Sequence, residues 1–290
     1  MICTLCPRNC RAERTSDKAG GFCRAPETPV AARATLHLWE EPCLVGEHGA
    51  GTVFFSGCNL RCSFCQNFSV SQEGIGKPLS VPELREVFQS LVRQGAACLD
   101  LVTPSHFTPA ILVALGDEPW PVPVVWNSSG YEKTETLRLL QGRIQIFLPD
   151  LKYALPAPAE RYSAAADYFH FAAPAVLEMF RQTGPYLLEN GTLKSGVLIR
   201  HLLLPGELEN TRRVIDWVAS NFRPGDVLFS LMSQYTPQPG ASGNLARHVT
   251  RSEYRAAVQY MLNCGISDGY TQERTSAQEE FTPDFNLDGL

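Results

Sequence analysis

The chain has 290 residues, 44% of them hydrophobic and 19% charged, and 25 Lys and Arg against 30 Asp and Glu leave a net charge of −5. A chain of this length buries a substantial core, and its acidic balance gives no electrostatic support to nucleic-acid or anionic-membrane binding. No apolar run reaches the roughly 18 residues of a membrane-spanning helix, and Met1 to Arg14 mixes cysteines with arginines where a secretory leader would be apolar.

Residues 1–50 read as an irregular, cysteine-rich segment, with Pro7, Pro26, Pro29 and Pro42 and the paired Gly20 and Gly21. From Gly51 the pattern changes. Thr52 to Ser56 is a short apolar run and predicts a buried strand; Pro82 to Gln94 carries Leu84, Val87, Phe88, Leu91 and Val92 at helical spacing. The alternation then repeats. Strands are predicted at 98–103, 122–127, 144–148, 196–203 and 226–231, and helices at 107–115, 133–140, 173–181, 207–220 and 251–264. Six β-then-α units in series imply a parallel sheet and favour a curled, partial (β/α)6 barrel over an open doubly wound sheet. The barrel is expected over residues 51–265, with an extended tail over 266–290 that adds one more strand.

Ten cysteines are present, and eight fall in the first 65 residues: Cys43 and the seven that group in motifs, Cys3, Cys6, Cys10, Cys23, Cys58, Cys62 and Cys65. Disulfide scaffolds spread their cysteines along a short chain. Here they cluster at short spacing ahead of a cysteine-poor body, which reads as metal ligation in a reducing compartment, with a cytoplasmic location as the expected consequence.

Cys58, Cys62 and Cys65 form a C-x3-C-x2-C loop directly after the first barrel strand. Three thiolates this close can wrap an iron–sulfur cluster. A closed site needs a fourth ligand, and the nearest candidates, Cys43 and Cys98, lie outside the loop. Three ligands leave one metal position open, as catalytic metal sites do. A zinc site with a distant fourth ligand is the rival reading.

This loop, with Phe64 in its aromatic place, resembles the signature of the radical S-adenosylmethionine enzymes. Together with Asp150-Leu151-Lys152 and Arg200-His201-Leu-Leu-Leu-Pro205-Gly206, it resembles more narrowly the pyruvate formate-lyase-activating-enzyme-like branch, in a subgroup with an N-terminal cysteine module. The resemblance implies a partial (β/α)6 barrel and a [4Fe–4S] cluster on Cys58, Cys62 and Cys65, whose fourth iron chelates S-adenosylmethionine. It implies reductive cleavage to methionine and a 5′-deoxyadenosyl radical, followed by abstraction of a hydrogen atom. It further implies a reduced flavodoxin or ferredoxin-type electron donor and, by analogy, a glycyl-radical partner enzyme. A small molecule or a peptide is the other substrate reading, and a zinc-binding interaction protein that kept the barrel is the non-catalytic one.

Under the same resemblance, Phe64 packs near the adenine, and the strand ends supply the remaining cofactor contacts, because barrels read ligands at the C-terminal ends of their strands. Thr103-Pro104-Ser105-His106 stands where many relatives carry Gly-Gly-Glu, so Ser105 is the candidate there, against a capping serine in an ordinary loop. Asn127 and Ser128 are candidates near the ribose, against a plain Asn/Ser/Gly turn. Asp150 and Lys152 share one side of an extended chain and face the methionine moiety. Arg200 reaches the cofactor carboxylate in a fork, which turns His201 the other way. Ser233 to Thr236 is a polar lip for substrate.

At the N-terminus, Cys3, Cys6, Cys10 and Cys23 give four thiols in a stretch with little core. Four sulfurs suit tetrahedral zinc or a second iron–sulfur cluster, with disulfide pairing as the rival in an oxidising compartment. Cys43 and Cys264 are expected to be buried or incidental.

Overall fold

The computed structural model describes residues 2–272 and 284–290. Between residues 2 and 29 it holds only isolated bridges, Ile2 to Glu13 and Gly20 to Ala25. The irregular reading of residues 1–50 fails further on. Strand β1 (Val30–His37) lies antiparallel to β2 (Ala50–Phe55), and the short helix α1 (Pro42–Val45) sits between them. Local alternation in β1 is weak, with a register irregularity between Ala31 and Arg33, so the strand is defined by its partner more than by its own pattern.

After β2 come α2 (Phe68–Ser71), the two-residue β3 (Lys77–Pro78) and α3 (Val81–Arg93). Helix α3 starts on a capping box. The Ser80 side chain accepts from the Glu83 N–H and the Glu83 carboxylate accepts from the Ser80 N–H, with a proline in the first turn. The units β4 (Leu99–Val102) with α4 (Thr108–Leu115) and β5 (Val124–Ser128) with α5 (Thr134–Arg138) follow. Strand β6 (Ile146–Pro149) leads into two helices, α6 (Pro156–Ser163) and α7 (Tyr168–Thr183), where the sequence predicts one; α7 runs through Pro174. A hairpin of β7 (Leu187–Glu189) and β8 (Thr192–Leu202) turns on Asn190-Gly191, both at positive φ. Helix α8 (Leu208–Asn221), β9 (Leu228–Met232), α9 (Arg251–Asn263) and β10 (Gly269–Thr271) complete the chain order.

The sheet runs β10-β9-β8-β6-β5-β4-β2-β1-β3, with every neighbouring pair from β2 to β10 parallel. Its two ends are not paired with each other, so the barrel is partial, as expected. The strand expected after the barrel is β10. Residues 284–290 lie along β1: the Ala34 N–H donates to the Asp288 carbonyl at 2.9 Å, and the Phe285 ring meets Phe54 edge-on at 5.3 Å. The rest of the expected tail, 273–283, lies outside the described residues.

Two apolar clusters hold the fold. The larger packs the helices against the outer face of the sheet. The smaller comprises Cys43, Leu44, Ala50, Cys98, Val125, Ile146, Leu148, Leu193, Leu198 and Leu228. Side chains alternate along a strand, so Ala50, Cys98, Val125, Ile146, Leu198 and Leu228 start the inward-facing rows, and α1 closes that end of the barrel. Cys43 and Cys98, the nearest candidates for a fourth ligand, belong to this floor: both are 1% exposed, and the Cys98 thiol donates to the Leu44 carbonyl.

Candidate active site

One step up the same rows the side chains turn polar: Thr52, Asp100, Asn127, Arg200 and Ser230. Another step gives the wall of a cleft at the C-terminal ends of the strands, with Phe54, Val102, Asp150, Leu202 and Met232 among its residues and about 260 Å³ of open space. The cysteine loop closes one side. Cys58, Cys62, Phe64 and Cys65 line the cleft together with Asn127, Ser128, Asp150, Lys152 and Arg200. The sequence-predicted residues of the barrel are thus brought to one place, with Ser105 as the exception.

Each thiol of the loop sits beside a polar partner. The Ser163 hydroxyl donates to Cys62 Sγ at 3.0 Å, the Leu60 N–H donates to Cys58 Sγ at 3.4 Å, and Ser71 Oγ lies 3.3 Å from Cys65 Sγ. Burial pushes the Cys62 thiol up to about 12; Lys152 opposes this, and Cys58 and Cys65 add to it. Burial also pushes Cys65 up. Phe64 is buried, edge-on to Tyr162 and Tyr235.

Arg200 and Lys152 converge on Asp150. Arg200 Nε donates to Asp150 at 3.0 Å and Lys152 Nζ to the other carboxylate oxygen at 2.6 Å. Burial alone would raise the Asp150 carboxyl; the two cations outweigh it and hold it below its ordinary value. The guanidinium is also bound from two further sides. Its Nη1 donates to Glu40 at 2.9 Å and its Nη2 to the Asn127 side-chain amide oxygen, Oδ1, at 2.7 Å. The fork expected to grip a ligand carboxylate therefore closes on the chain's own acids. Asn127 donates in turn to Glu40 and Asp100, and burial, then the charge of Glu40, holds the Asp100 carboxyl well above its ordinary value. His201, next in the strand, faces away: it is buried between the Leu151 carbonyl and the Thr211 hydroxyl.

Ser105 is a correction in placement. It stands in a short turn after Thr103, which has φ +59°, and its hydroxyl donates to the buried Glu132 outside the cleft. Trp126 shares that acceptor at 3.4 Å. Burial raises Glu132 to about 7. The polar lip does reach the cleft through Gln234, Tyr235 and Thr236. Sequence reasoning missed a further lip, His37 at the end of β1 with Trp39 and Glu40 after it. Only the pairing of β1 with β2 brings Glu40 over the barrel, and no local motif signals that.

The N-terminal thiols gather as well. Cys3, Cys6 and Cys23 are buried and Cys10 is exposed. Burial pushes Cys6 up to about 12, with the nearby Cys23 and Cys3 adding to it. At Cys10 burial also raises the thiol, but the N–H groups of Ala12 and Phe22 outweigh it and the net shift is downward. All ten cysteines are free thiols. Among the described residues no group of three or more His, Cys, Asp or Glu is already drawn tightly enough to hold a metal ion, and this applies to both cysteine sets. The donor chemistry nevertheless suits soft metals: the loop offers three sulfurs on one open cleft, and the N-terminal segment four. No helix among the described residues is long and apolar enough to cross a membrane.

No known family profile matches the chain. An uncharacterized protein of Methanocaldococcus jannaschii, MJ0674, is 29% identical over 269 residues, spanning 89% of this chain and 73% of its own. Among solved structures, SuiB of Streptococcus suis bound to its precursor peptide SuiA overlaps with a TM-score of 0.50 at 10% identity, over 74% of this chain. The overlap spans 46% of SuiB, so the chain matches about half of that protein. A variant of spore photoproduct lyase overlaps with a TM-score of 0.46 at 10% identity, over 75% of this chain and 74% of that one. The fold is shared with SuiB. It is the open α/β partial barrel that the six β-then-α units predict.

Proposed function

We propose that this chain is a radical S-adenosylmethionine enzyme. The observation that carries the reading is the cysteine loop itself: C-x3-C-x2-C follows the first parallel strand and lines a strand-end cleft beside Asp150, Lys152 and Arg200. Cys58, Cys62 and Cys65 would hold three irons of a [4Fe–4S] cluster, leaving one iron for the amino and carboxylate groups of S-adenosylmethionine. When bound, that cluster supplies the electron that splits the sulfonium C–S bond, giving methionine and a 5′-deoxyadenosyl radical able to take a hydrogen atom from an unactivated C–H. The chain's part is to hold, orient and exclude water. Ser163, Leu60 and Ser71 orient the sulfurs. Lys152 places a cation at the cluster side of the cleft, and Glu40 and Asp150 keep Arg200 in one position. Phe64, packed on Tyr162 and Tyr235, offers an apolar surface to a nucleotide.

Electrons would come from a reduced flavodoxin or ferredoxin-type donor in the cytoplasm. Two substrate classes remain distinct. A glycyl-radical partner enzyme follows from the sequence resemblance. A peptide is favoured by the fold shared with SuiB, a protein captured with a precursor peptide, and by an open cleft mouth bearing Trp39, 63% exposed. The N-terminal thiols would hold zinc or a second cluster, since residues 2–29 have little secondary structure to hold them.

Anaerobic reconstitution with iron and sulfide, then S-adenosylmethionine and a reductant, tests the reading. 5′-Deoxyadenosine and methionine in equal amounts are expected, with iron and sulfide counted beside zinc. Colourless, iron-free protein that releases no 5′-deoxyadenosine sinks it and leaves the zinc-binding alternative.

A further inference from the structure

The N-terminal segment is hydrogen-bonded to the cysteine loop through the Arg8 side chain. Arg8 follows Cys6-Pro7 and sends its guanidinium across to the barrel. Nε donates to the Asn59 carbonyl at 2.8 Å and Nη2 to the Leu60 carbonyl at 3.4 Å, both inside the loop between Cys58 and Cys62. The same group reaches the end of α6. Nη2 donates to the Ser163 carbonyl at 2.9 Å, and Nη1 donates to the Ala164 carbonyl. These are carbonyls that a helix C-terminus leaves without intrahelical donors, and a cation there is favoured by the helix dipole.

The guanidinium plane is held as well as its edges. It lies 3.8 Å from the centroid of Phe22, in the thiol segment, and 5.2 Å from that of Tyr131, in the barrel. Arg61, in the loop, shares the Phe22 ring at 4.7 Å. Backbone strain collects at the same place. Asn9, Arg11 and Arg24 on the segment side and Arg61 in the loop are non-glycine residues at positive φ, between +43° and +56°. Such conformations persist only where surrounding contacts over-determine them.

The two surfaces that Arg8 joins also meet directly. The Ser63 N–H donates to the Tyr162 carbonyl at 2.8 Å, and the Ser163 hydroxyl donates to Cys62 Sγ at 3.0 Å. The loop is tied down on its barrel side too, where Asn59 donates to the Tyr131 carbonyl at 2.7 Å and accepts from Ser129.

We propose that Arg8 is a positioning residue: its fork clamps the Cys58–Cys65 loop to the C-terminal end of α6 and so fixes where the three sulfurs stand. Its catalytic consequence rests on the radical S-adenosylmethionine reading; the clamp itself does not. A planar five-donor group is needed, because four carbonyls on two elements are reached at once while the plane stacks on Phe22. A lysine keeps the charge and loses both the fork and the stacking.

The test is amide hydrogen exchange on the full chain without added iron, comparing wild type, Arg8→Ala and Arg8→Lys. The expected result is that the Ser63 amide exchanges at least about tenfold faster in both variants, while amides of the barrel strands such as Val53, Leu101 and Ile199 keep their protection. Added guanidinium ion, which can occupy the vacated fork site in Arg8→Ala, is expected to restore part of the Ser63 protection. Unchanged Ser63 exchange in Arg8→Ala, or full protection in Arg8→Lys, overturns the proposal. So does loss of protection across the strands as well, since Arg8 would then be a general stability element. After reconstitution the same variants are expected to lose at least about tenfold in 5′-deoxyadenosine formation, the size of effect that a mispositioned reacting centre gives. If wild type forms none, the radical reading fails while the exchange result still decides the clamp.

Discussion

The Ser163 hydroxyl donates to Cys62 Sγ and meets the Tyr153 hydroxyl at 2.8 Å on its other side. Ser163 is 1% exposed and Cys62 is 7% exposed, so the hydroxyl reaches the sulfur from its buried side. Hydrogen bonds to a charged acceptor contribute roughly 1.5–3 kcal/mol. Ser163→Ala is therefore expected to retain its fold and lose iron about tenfold faster on chelator challenge than wild type, followed by visible absorbance. Cys62→Ala, which removes the donor itself, is expected to form no 5′-deoxyadenosine. Equal iron loss from Ser163→Ala and wild type would show that the hydroxyl does not hold the sulfur.

Arg200 is enclosed by Glu40, Asp150 and Asn127, with its side chain 15% exposed and those of Glu40 and Asp150 11% and 16%. Removing one partner of a desolvated ion pair costs more than the pair contributes, because the other charge is left behind. Glu40→Gln is expected to destabilise the fold by about 1–3 kcal/mol and to free one side of the guanidinium. A double-mutant cycle with Arg200→Lys should show a coupling of order 1 kcal/mol or more. Additive effects in urea denaturation would mean that Glu40 does not hold Arg200.

Much of this arrangement is legible in the sequence, and the reason is local. The predicted strands and helices after Gly51 coincide with elements whose apolar period is visible within a short window, and Cys58, Cys62 and Cys65 are close in the chain as well as in space. Period-two alternation puts Asp150 and Lys152 on one side and separates Arg200 from His201; the family resemblance then selects Arg200 as the inward residue. Strand β1 is not legible, since Val30–His37 gains its identity by pairing with Ala50–Phe55. Glu40 is lost with it. The position of Ser105 is not legible for a similar reason: its partner Glu132 lies 27 positions away, beyond any local motif. The β7–β8 hairpin carries a local signal, Asn190-Gly191, a turn pair between two short strands.

Gly130 follows Asn127-Ser128-Ser129 at the end of β5 with φ +73°, and a Cβ there would stand 2.3 Å from the Asp150 carbonyl oxygen and 3.0 Å from the Tyr168 hydroxyl. Backbone atoms cannot give way as a flexible side chain can. Gly130→Ala is expected to cost about 1–3 kcal/mol in backbone strain, and more if β6 must shift. Because Asp150 carries both Arg200 and Lys152, displacement of its backbone is expected to lower 5′-deoxyadenosine formation more than stability alone explains. A urea midpoint and activity equal to wild type would show that the turn relaxes without cost.

Burial makes His201 harder to protonate than a surface histidine. Burial lowers it from 6.5 to about 4; the Leu151 carbonyl opposes the shift and Lys152 adds to it. Between those two values the unfolded chain binds a proton that the folded chain refuses. Stability from this group is therefore complete above about pH 6.5 and is lost as pH falls toward 4, by about 3 kcal/mol at 1.36 kcal/mol per unit. Glu132, raised by burial from 4.5 to about 7, works against it, since its folded form keeps a proton that the unfolded chain releases as pH rises. The wild-type curve alone mixes the two, so the variant difference isolates the histidine. His201→Asn keeps an N–H for the Leu151 carbonyl and cannot ionise. Urea denaturation across pH 4.5 to 7 is expected to show wild type gaining on His201→Asn by about 2–3 kcal/mol as pH rises, and parallel curves would mean that the ring accepts a proton inside the folded barrel.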